Sequence, residues 1–299
     1  MNNLLDLVLE NKKLIIRVDM NVPIVDGIIK DKTRILASIP TIKHSLDRGA
    51  KILLVSHLGR PLEGNPETKF SLQPVADSLK KILDEEVELV SELNDSLIFN
   101  SSAMIQVLEN IRFFKGEKSN SQELGKCLAS LCDVYVFDAF GTSHREQAST
   151  HSAITHSNQA CMGLLLQKEI SALTKALQEY ENPYTAVIGG AKVSTKLELI
   201  KNINEKADFV IVGGGIANTF VKAAGNEIGV SLFEESMIDI AKELLDGGKI
   251  IFSESTTGCK ENLTSGFPSD GLPKCETSKI FAPLSKECLI VGIDANILV

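Results

Sequence analysis

The string His57-Leu58-Gly59-Arg60-Pro61 follows the apolar run Ile52-Leu53-Leu54-Val55. Such a run reads as a buried strand. A strand ending in Gly, Arg, His and Pro sets cationic groups at the carboxyl edge of a sheet, where ligands of open α/β sheets bind. Arginine is the side chain that forks a carboxylate or phosphate. Alone, the string is equally an ordinary strand-to-loop corner with a solvated arginine, so other strings must decide. Arg17-Val18-Asp19-Met20-Asn21-Val22-Pro23 leaves an earlier strand and offers Asp19 and Asn21 at alternate positions. Both can face one side and accept hydrogen bonds from hydroxyls, although strand-end turns favour the same residues. Arg34 follows Asp31-Lys32-Thr33 just ahead of the first helix. Arg112 lies just past a strand, and Arg145 closes the string that begins Asp138-Ala139-Phe140-Gly141 after another strand. Arg34, Arg60, Arg112 and Arg145 are thus expected in loops at one sheet edge. Converging cations are costly without an anion; a polyanionic ligand accounts for them together.

A second kind of chemistry is written in glycine. Gly189-Gly190-Ala191-Lys192-Val193-Ser194-Thr195-Lys196 lies between a predicted strand and helix, and Gly213-Gly214-Gly215-Ile216-Ala217 follows one strand later. Glycines let backbone approach a phosphate closely, and a helix N-terminus supplies N–H donors. Lys192 and Lys196 are spaced to reach phosphate oxygens. The spacing is not that of a Walker A loop. Either turn alone is weak; two in succession point to a nucleotide.

These strings need a scaffold, and the alternation of apolar runs with helical periods supplies one. Strands are predicted over 14–18, 52–55, 87–90, 104–108 and 134–137. Helices are predicted over 38–48, with Pro40 in the first turn and Gly49 as the stop, and over the apolar face Leu72, Val75, Ala76, Leu79, Ile82 and Leu83. A long helix over 163–180 ends at Asn182-Pro183. A second series follows: strands 186–188, 209–212 and 249–252, with helices 195–203, 217–224 and 236–245. From Ser253 the chain turns polar, and only 289–293 reads as a further strand. The domain boundary is placed in the long helix, giving domains 1–165 and 166–299. The fold class is α/β: two doubly wound parallel-sheet, Rossmann-like domains joined by a helix, the second incomplete.

Bulk properties narrow the function. A chain of 299 residues suggests about two domains. Its 43% hydrophobic and 23% charged residues suit a large core. A formal net charge of −8 argues against nucleic acid as the main partner, while small anions need only a local basic cluster. Neither a secretory signal nor a membrane span is expected. The six cysteines include no Cys-x-x-Cys pair and read as free thiols in a reducing cytoplasm.

Taken together, Arg17 to Pro23, His57 to Pro61, Asp138 to Arg145, Gly189 to Lys196 and Gly213 to Thr219 resemble phosphoglycerate kinases. Supporting strings are Ala148-Ser149-Thr150-His151 and Ile228-Gly229-Val230-Ser231-Leu232. The resemblance runs in order from Met1 to about Phe252. It implies two α/β domains and reversible phosphoryl transfer between 1,3-bisphosphoglycerate and Mg-ADP, giving 3-phosphoglycerate and Mg-ATP, with closure of a hinge. It implies a cytoplasmic, monomeric glycolytic enzyme whose Mg2+ accompanies the nucleotide; the family's Asp that helps hold this metal lies in a Gly-Gly-Gly-Asp turn that is missing here, so no metal ligand is assigned in this chain. By resemblance, Asp19 and Asn21 hold the hydroxyl and carboxyl region of phosphoglycerate. His57, Leu58, Gly59, Arg60, Arg112 and Arg145 grip its phosphate end. Arg34 is the catalytic arginine. Lys196 reaches the transferring phosphate, and Lys192 reaches the nucleotide phosphates. Gly190, Ala191, Gly213 and Gly214 line the adenosine pocket.

The sequence also departs from the family pattern. Phe137 stands where Asn is usual, and Glu146-Gln147 where Ala-His is common. After Phe252 the pattern fades to Asp294, and the Trp-Asn-Gly-Pro loop and Gly-Gly-Gly-Asp turn are missing. That turn would supply N–H donors to the transferred phosphate, a large catalytic term. The alternative expectation is therefore a truncated, impaired relative that only binds phosphoglycerate.

Overall fold

Branched aliphatic runs become buried parallel strands, and amphipathic segments cover them. This is a computed structural model, and it describes residues 2–94, 96–178 and 182–252. The elements run β1 (Asn2–Asn3), β2 (Lys13–Val18), β3 (Ile24–Val25), β4 (Ile28–Ile29), α1 (Thr33–Asp47), β5 (Lys51–Val55), α2 (Gln73–Leu83), β6 (Val87–Val90) and β7 (Ile105–Leu108). They continue with α3 (Gln122–Ser130), β8 (Val134–Asp138), α4 (Ala153–His156), β9 (Ala160–Met162), α5 (Leu164–Gln178) and β10 (Thr185–Gly190). Last come α6 (Leu197–Lys206), β11 (Phe209–Gly213), α7 (Gly214–Ala223), α8 (Ile238–Asp246) and β12 (Ile250–Ile251). The strand expected over 289–293 and the polar segment from 253 lie outside the described residues, as do Tyr180, Cys259, Cys275 and Cys288.

The chain divides into two compact units, Met1–Ala172 and a second beginning at Leu173, so the division falls within α5. In the first unit a seven-stranded sheet has the order β1-β9-β8-β2-β5-β7-β6. Every pairing in it is parallel. The chain steps from β2 to β5 on one side and later adds β8 and β9 on the other. That reversal is where doubly wound sheets bind ligands. Side chains alternate between two cores: Leu14, Ile16 and Val18 pack with Ile35, Ile42, Val75 and Leu79. Ile15 packs with Leu53, Tyr135, Leu124 and Leu128. Burial on both faces explains why the strands read as continuous apolar runs. Each such Leu or Ile contributes about 1.5–3 kcal/mol. The second unit holds a three-stranded parallel sheet, β10-β11-β12. Ala186, Ile188, Val210 and Val212 form its core with Ile200, Ile216 and Phe220.

Several boundaries differ from expectation. The helix predicted over 38–48 starts at Thr33 and carries Pro40 in its interior. Asp31 Oδ1 accepts from Thr33 N at 2.8 Å and from Thr33 Oγ1 at 2.6 Å, which turns the chain early. Pro40 is exposed, so the carbonyl it leaves unpaired can meet water. Arg34 is therefore in the first turn of α1, not in a loop. The helix predicted over 217–224 starts at Gly214, so Gly213 is its N-cap and Gly214 and Gly215 are helical. The helix predicted over 195–203 starts at Leu197, with Lys196 as its N-cap. Elements β1, β9 and α4 are two to four residues long and carry too few periodic residues to be foreseen. Helix α3 carries Leu124, Leu128 and, just past its end, Leu131 at helical spacing, a signal the sequence reading missed.

Candidate functional site

Four neighbouring strands of the first sheet, β8, β2, β5 and β7, deliver the charged residues from their carboxyl ends. Asp19 and Asn21 follow β2, His57 to Arg60 follow β5, Arg112 follows β7 and Arg145 follows β8. Arg17 lies within β2, paired in register with Val55 on one side and Phe137 on the other. It is 1% exposed. Its Nε donates to Ser149 Oγ at 3.0 Å, one terminal nitrogen donates to the Val18 carbonyl, and the other meets His57 Nδ1 at 3.3 Å. Arg34 reaches over to donate to Asp19 Oδ2. A cation in a first helical turn opposes the helix dipole, and Asp19 offsets that.

The buried His57 is pulled down to about 2, first by desolvation and then by Arg17, Arg112, Arg145 and Arg34. It is neutral, so its 4.0 Å approach to Asp19 is not an ion pair. Arg112 is buried, and its Nε meets no partner among the described residues. Burial, then Arg145 and Arg17, lower its pKa; Glu117 opposes this and Arg60 adds to it. Burial raises the Glu117 carboxyl against the pull of Arg17. Its oxygens accept from Ser149 N at 2.9 Å and Ser149 Oγ at 2.6 Å. One sheet edge thus collects guanidinium charge that two nearby carboxylates, Asp19 and Glu117, only partly balance, which is the electrostatics of a polyanion site.

A neutral amide holds this edge in shape. Asn110 is fully buried. Its Oδ1 accepts from Leu58 N and Arg112 N, both at 3.1 Å. Its Nδ2 donates to Leu58 O at 2.8 Å and Phe70 O at 2.9 Å. Every hydrogen-bonding position of the amide is used. Gly59 N donates to Asn21 Oδ1 at 2.9 Å, and Arg112 donates to the Gly59 carbonyl. Gly59 has φ +59°, and a Cβ there would lie 2.4 Å from the Phe70 ring, so only glycine fits. Leu58 packs into the core, and Arg60 is exposed. The sequence reading missed Arg17 and Asn110 as parts of the site. The signal for Arg17 was available: an arginine inside the run Leu14-Ile15-Ile16-Arg17-Val18 is buried at a cost.

In the second unit the two glycine turns pack backbone to backbone. Gly190 bridges Gly214 in parallel. Gly214 has φ +66°, and a Cβ on Gly215 would sit 2.3 Å from the Ala191 carbonyl oxygen. The added Cβ of Gly190 would meet Lys196 Cε at 3.0 Å, whereas Gly189 and Gly213 face open space. Lys196 thus lies over bare backbone beside the start of α6, and Lys192 is exposed. Ser194 N donates to Glu234 Oε2 at 2.9 Å, and its hydroxyl donates to Oε1. Burial acts to raise the Glu234 pKa, but the Ser194 and Val193 bonds and the Lys192 charge outweigh it and hold it low. The arrangement leaves lysines and helix N-termini beside open backbone, which suits nucleotide phosphates.

The profile of the phosphoglycerate kinase family matches residues 4–259. The chain is 51% identical over 241 residues to a phosphoglycerate kinase of Vibrio campbellii, covering 81% of this chain and 62% of that one. It is similar to the solved phosphoglycerate kinase of Coxiella burnetii, with TM-score 0.73 and 42% identity over 84% of this chain and 65% of that one. The Pyrococcus horikoshii enzyme gives TM-score 0.73 and 31% identity over 84% and 67%. The chain belongs to the phosphoglycerate kinase family. It spans about two thirds of the length of these phosphoglycerate kinases. Among the described residues, no group of three or more His, Cys, Asp or Glu side chains could hold a metal ion. Nor is any described helix long and apolar enough to cross a membrane. Cys132 and Cys161 are thiols that burial pushes up to about 12, so neither has the thiolate character of a nucleophile.

Proposed function

We propose that this chain carries out the phosphoglycerate kinase reaction, moving a phosphoryl group between 1,3-bisphosphoglycerate and Mg-ADP. The observation that carries the reading is the convergence of Arg17, Arg34, Arg112 and Arg145 on one buried, neutral His57. In the proposed roles, residues 1–165 bind phosphoglycerate and 166–299 bind nucleotide. Asp19 and Asn21 hold the hydroxyl and carboxyl region, while His57, Arg60, Arg112 and Arg145 grip the phosphate, with Leu58 and Gly59 shaping the turn. Arg34 stabilises charge on the phosphoryl group in flight, and Lys196 meets it from the nucleotide side. Lys192 binds the nucleotide phosphates; Gly190, Ala191, Gly213 and Gly214 form a bare floor for adenosine. Phosphoryl transfer needs positioning and charge stabilisation and little covalent chemistry from the protein. Magnesium arrives with the nucleotide as part of the substrate. The setting is the cytoplasm and the working form a monomer.

The test is ATP formation from 1,3-bisphosphoglycerate and Mg-ADP by the purified 299-residue chain, with Arg34→Ala prepared in parallel. Turnover that disappears in the variant is expected. Equal turnover in both, or none in either, would overturn the proposal; retained 3-phosphoglycerate binding would then favour a chain that only binds.

A further inference from the structure

His57 is the buried histidine of the basic edge, and a neutral imidazole has two forms with opposite uses. One nitrogen donates and the other accepts; the partner of one fixes the other. Nδ1 lies 3.3 Å from a terminal nitrogen of Arg17. A guanidinium has only donors, so Nδ1 must be the acceptor and carry no proton. The carboxylate nearest to Nδ1, Asp19, is 4.0 Å away, too far to hold a proton there, and it is engaged by Arg34. Doubly protonating the ring would set an imidazolium, 3% exposed, among Arg17, Arg34, Arg112 and Arg145.

Arg17 cannot easily turn away. Its strand is hydrogen-bonded on both sides, and its Nε is held at 3.0 Å by Ser149 Oγ, which itself donates to the buried Glu117 at 2.6 Å. Among the described residues, no hydrogen bond uses His57 Nε2. We infer that Arg17 is a positioning residue that fixes His57 as the neutral tautomer with its proton on Nε2. The imidazole then offers a phosphate or carboxylate a donor and never an acceptor. This last step rests on the proposed function; the tautomer does not.

The test is long-range 1H–15N correlation of the histidine rings in the full chain, with His57 assigned through His57→Gln. The expected spectrum has an unprotonated Nδ1 and a protonated Nε2 that persist from pH 7 to pH 5. In Arg17→Met the two nitrogens should average, and the ring should begin to titrate about one pH unit or more higher. A protonated Nδ1 in the native chain, an imidazolium at pH 7, or an Arg17→Met spectrum identical to the native one would overturn the inference. If Arg17→Met fails to fold, Ser149→Ala frees the guanidinium and should produce partial averaging; an unchanged ring would again overturn it. Adding 3-phosphoglycerate should shift the Nε2–H signal. No shift, with the tautomer as stated, would count against the proposed ligand and leave the role of Arg17 standing.

Discussion

The two units build their candidate anion sites by opposite means. The first uses side-chain charge, much of it desolvated: Arg17 and Arg112 are buried, and His57 is neutral among guanidiniums. The second uses backbone: Gly214 and Gly215 open α7 so close to the chain after β10 that added Cβ atoms would lie 2.9 Å from the Gly190 carbonyl oxygen and 2.3 Å from that of Ala191. A side-chain site is selective because each fork has a direction, and it carries the cost of burying charge. A backbone site costs little electrostatically but tolerates no added atoms. The first can fail by losing a buried charge; the second fails by gaining a methyl group, a failure the first shares at Gly59.

The largest expected effect tests whether charge in the first unit serves transfer or binding. Arg34→Ala should lower ATP formation by about 10³-fold or more, with a far smaller loss of 3-phosphoglycerate affinity by calorimetry. Equal losses would make Arg34 part of the grip. Next comes a mirrored pair of glycines. Gly215→Ala forces a Cβ to 2.3 Å from Ala191 O, and Gly59→Ala forces one to 2.4 Å from Phe70. Each overpacking costs about 1–3 kcal/mol. Gly215→Ala should weaken ADP binding by about tenfold or more and spare 3-phosphoglycerate; Gly59→Ala should do the reverse. A crossed result would dissolve the comparison.

The pH dependence is smaller. His57 is depressed from 6.5 to about 2 in the fold, so below its ordinary value the unfolded chain binds a proton that the native chain refuses. Stability from this group is complete above that value and is lost as pH falls toward about 2. The slope reaches at most about 1.4 kcal/mol per pH unit. Urea unfolding at pH 7 and pH 5 should show the loss, and His57→Gln should reduce it; an unchanged slope in the variant would show that His57 is not the proton acceptor. The smallest effect is Arg60→Ala. Its exposed guanidinium acts through solvent, so 3-phosphoglycerate affinity should fall by less than about tenfold. A larger drop would mean that the turn reshapes on binding.

Much of this was legible from residue types. The runs at 14–18 and 52–55 became central strands because burial on both faces demands unbroken apolar sequence, and the charged strings followed them. What escaped was set by tertiary contact or by single side chains. Asp31 starts α1 ahead of Pro40 through two short bonds from Thr33, and the apolar period Ile35, Ile39, Ile42 and Leu46 runs back past Pro40, a signal that placing the proline in the first turn passes over. Gly213, Gly214 and Gly215 have loop composition, yet a positive φ at Gly214 lets α7 start directly from β11. Asn110 resembles any turn asparagine until its partners arrive from distant segments.

Arg17 sits in a strand clamped on both sides, so the charges on this sheet edge cannot drift apart to relieve themselves. An anion that settles there relieves the repulsion in the folded state alone. Heat resistance of the first unit then becomes a gauge of ligand concentration: at a hundred times the dissociation constant, saturation adds about 2.7 kcal/mol to the fold. On the proposed function, the sheet edge that would grip phosphoglycerate would also tie the stability of the fold to the amount of that ligand present.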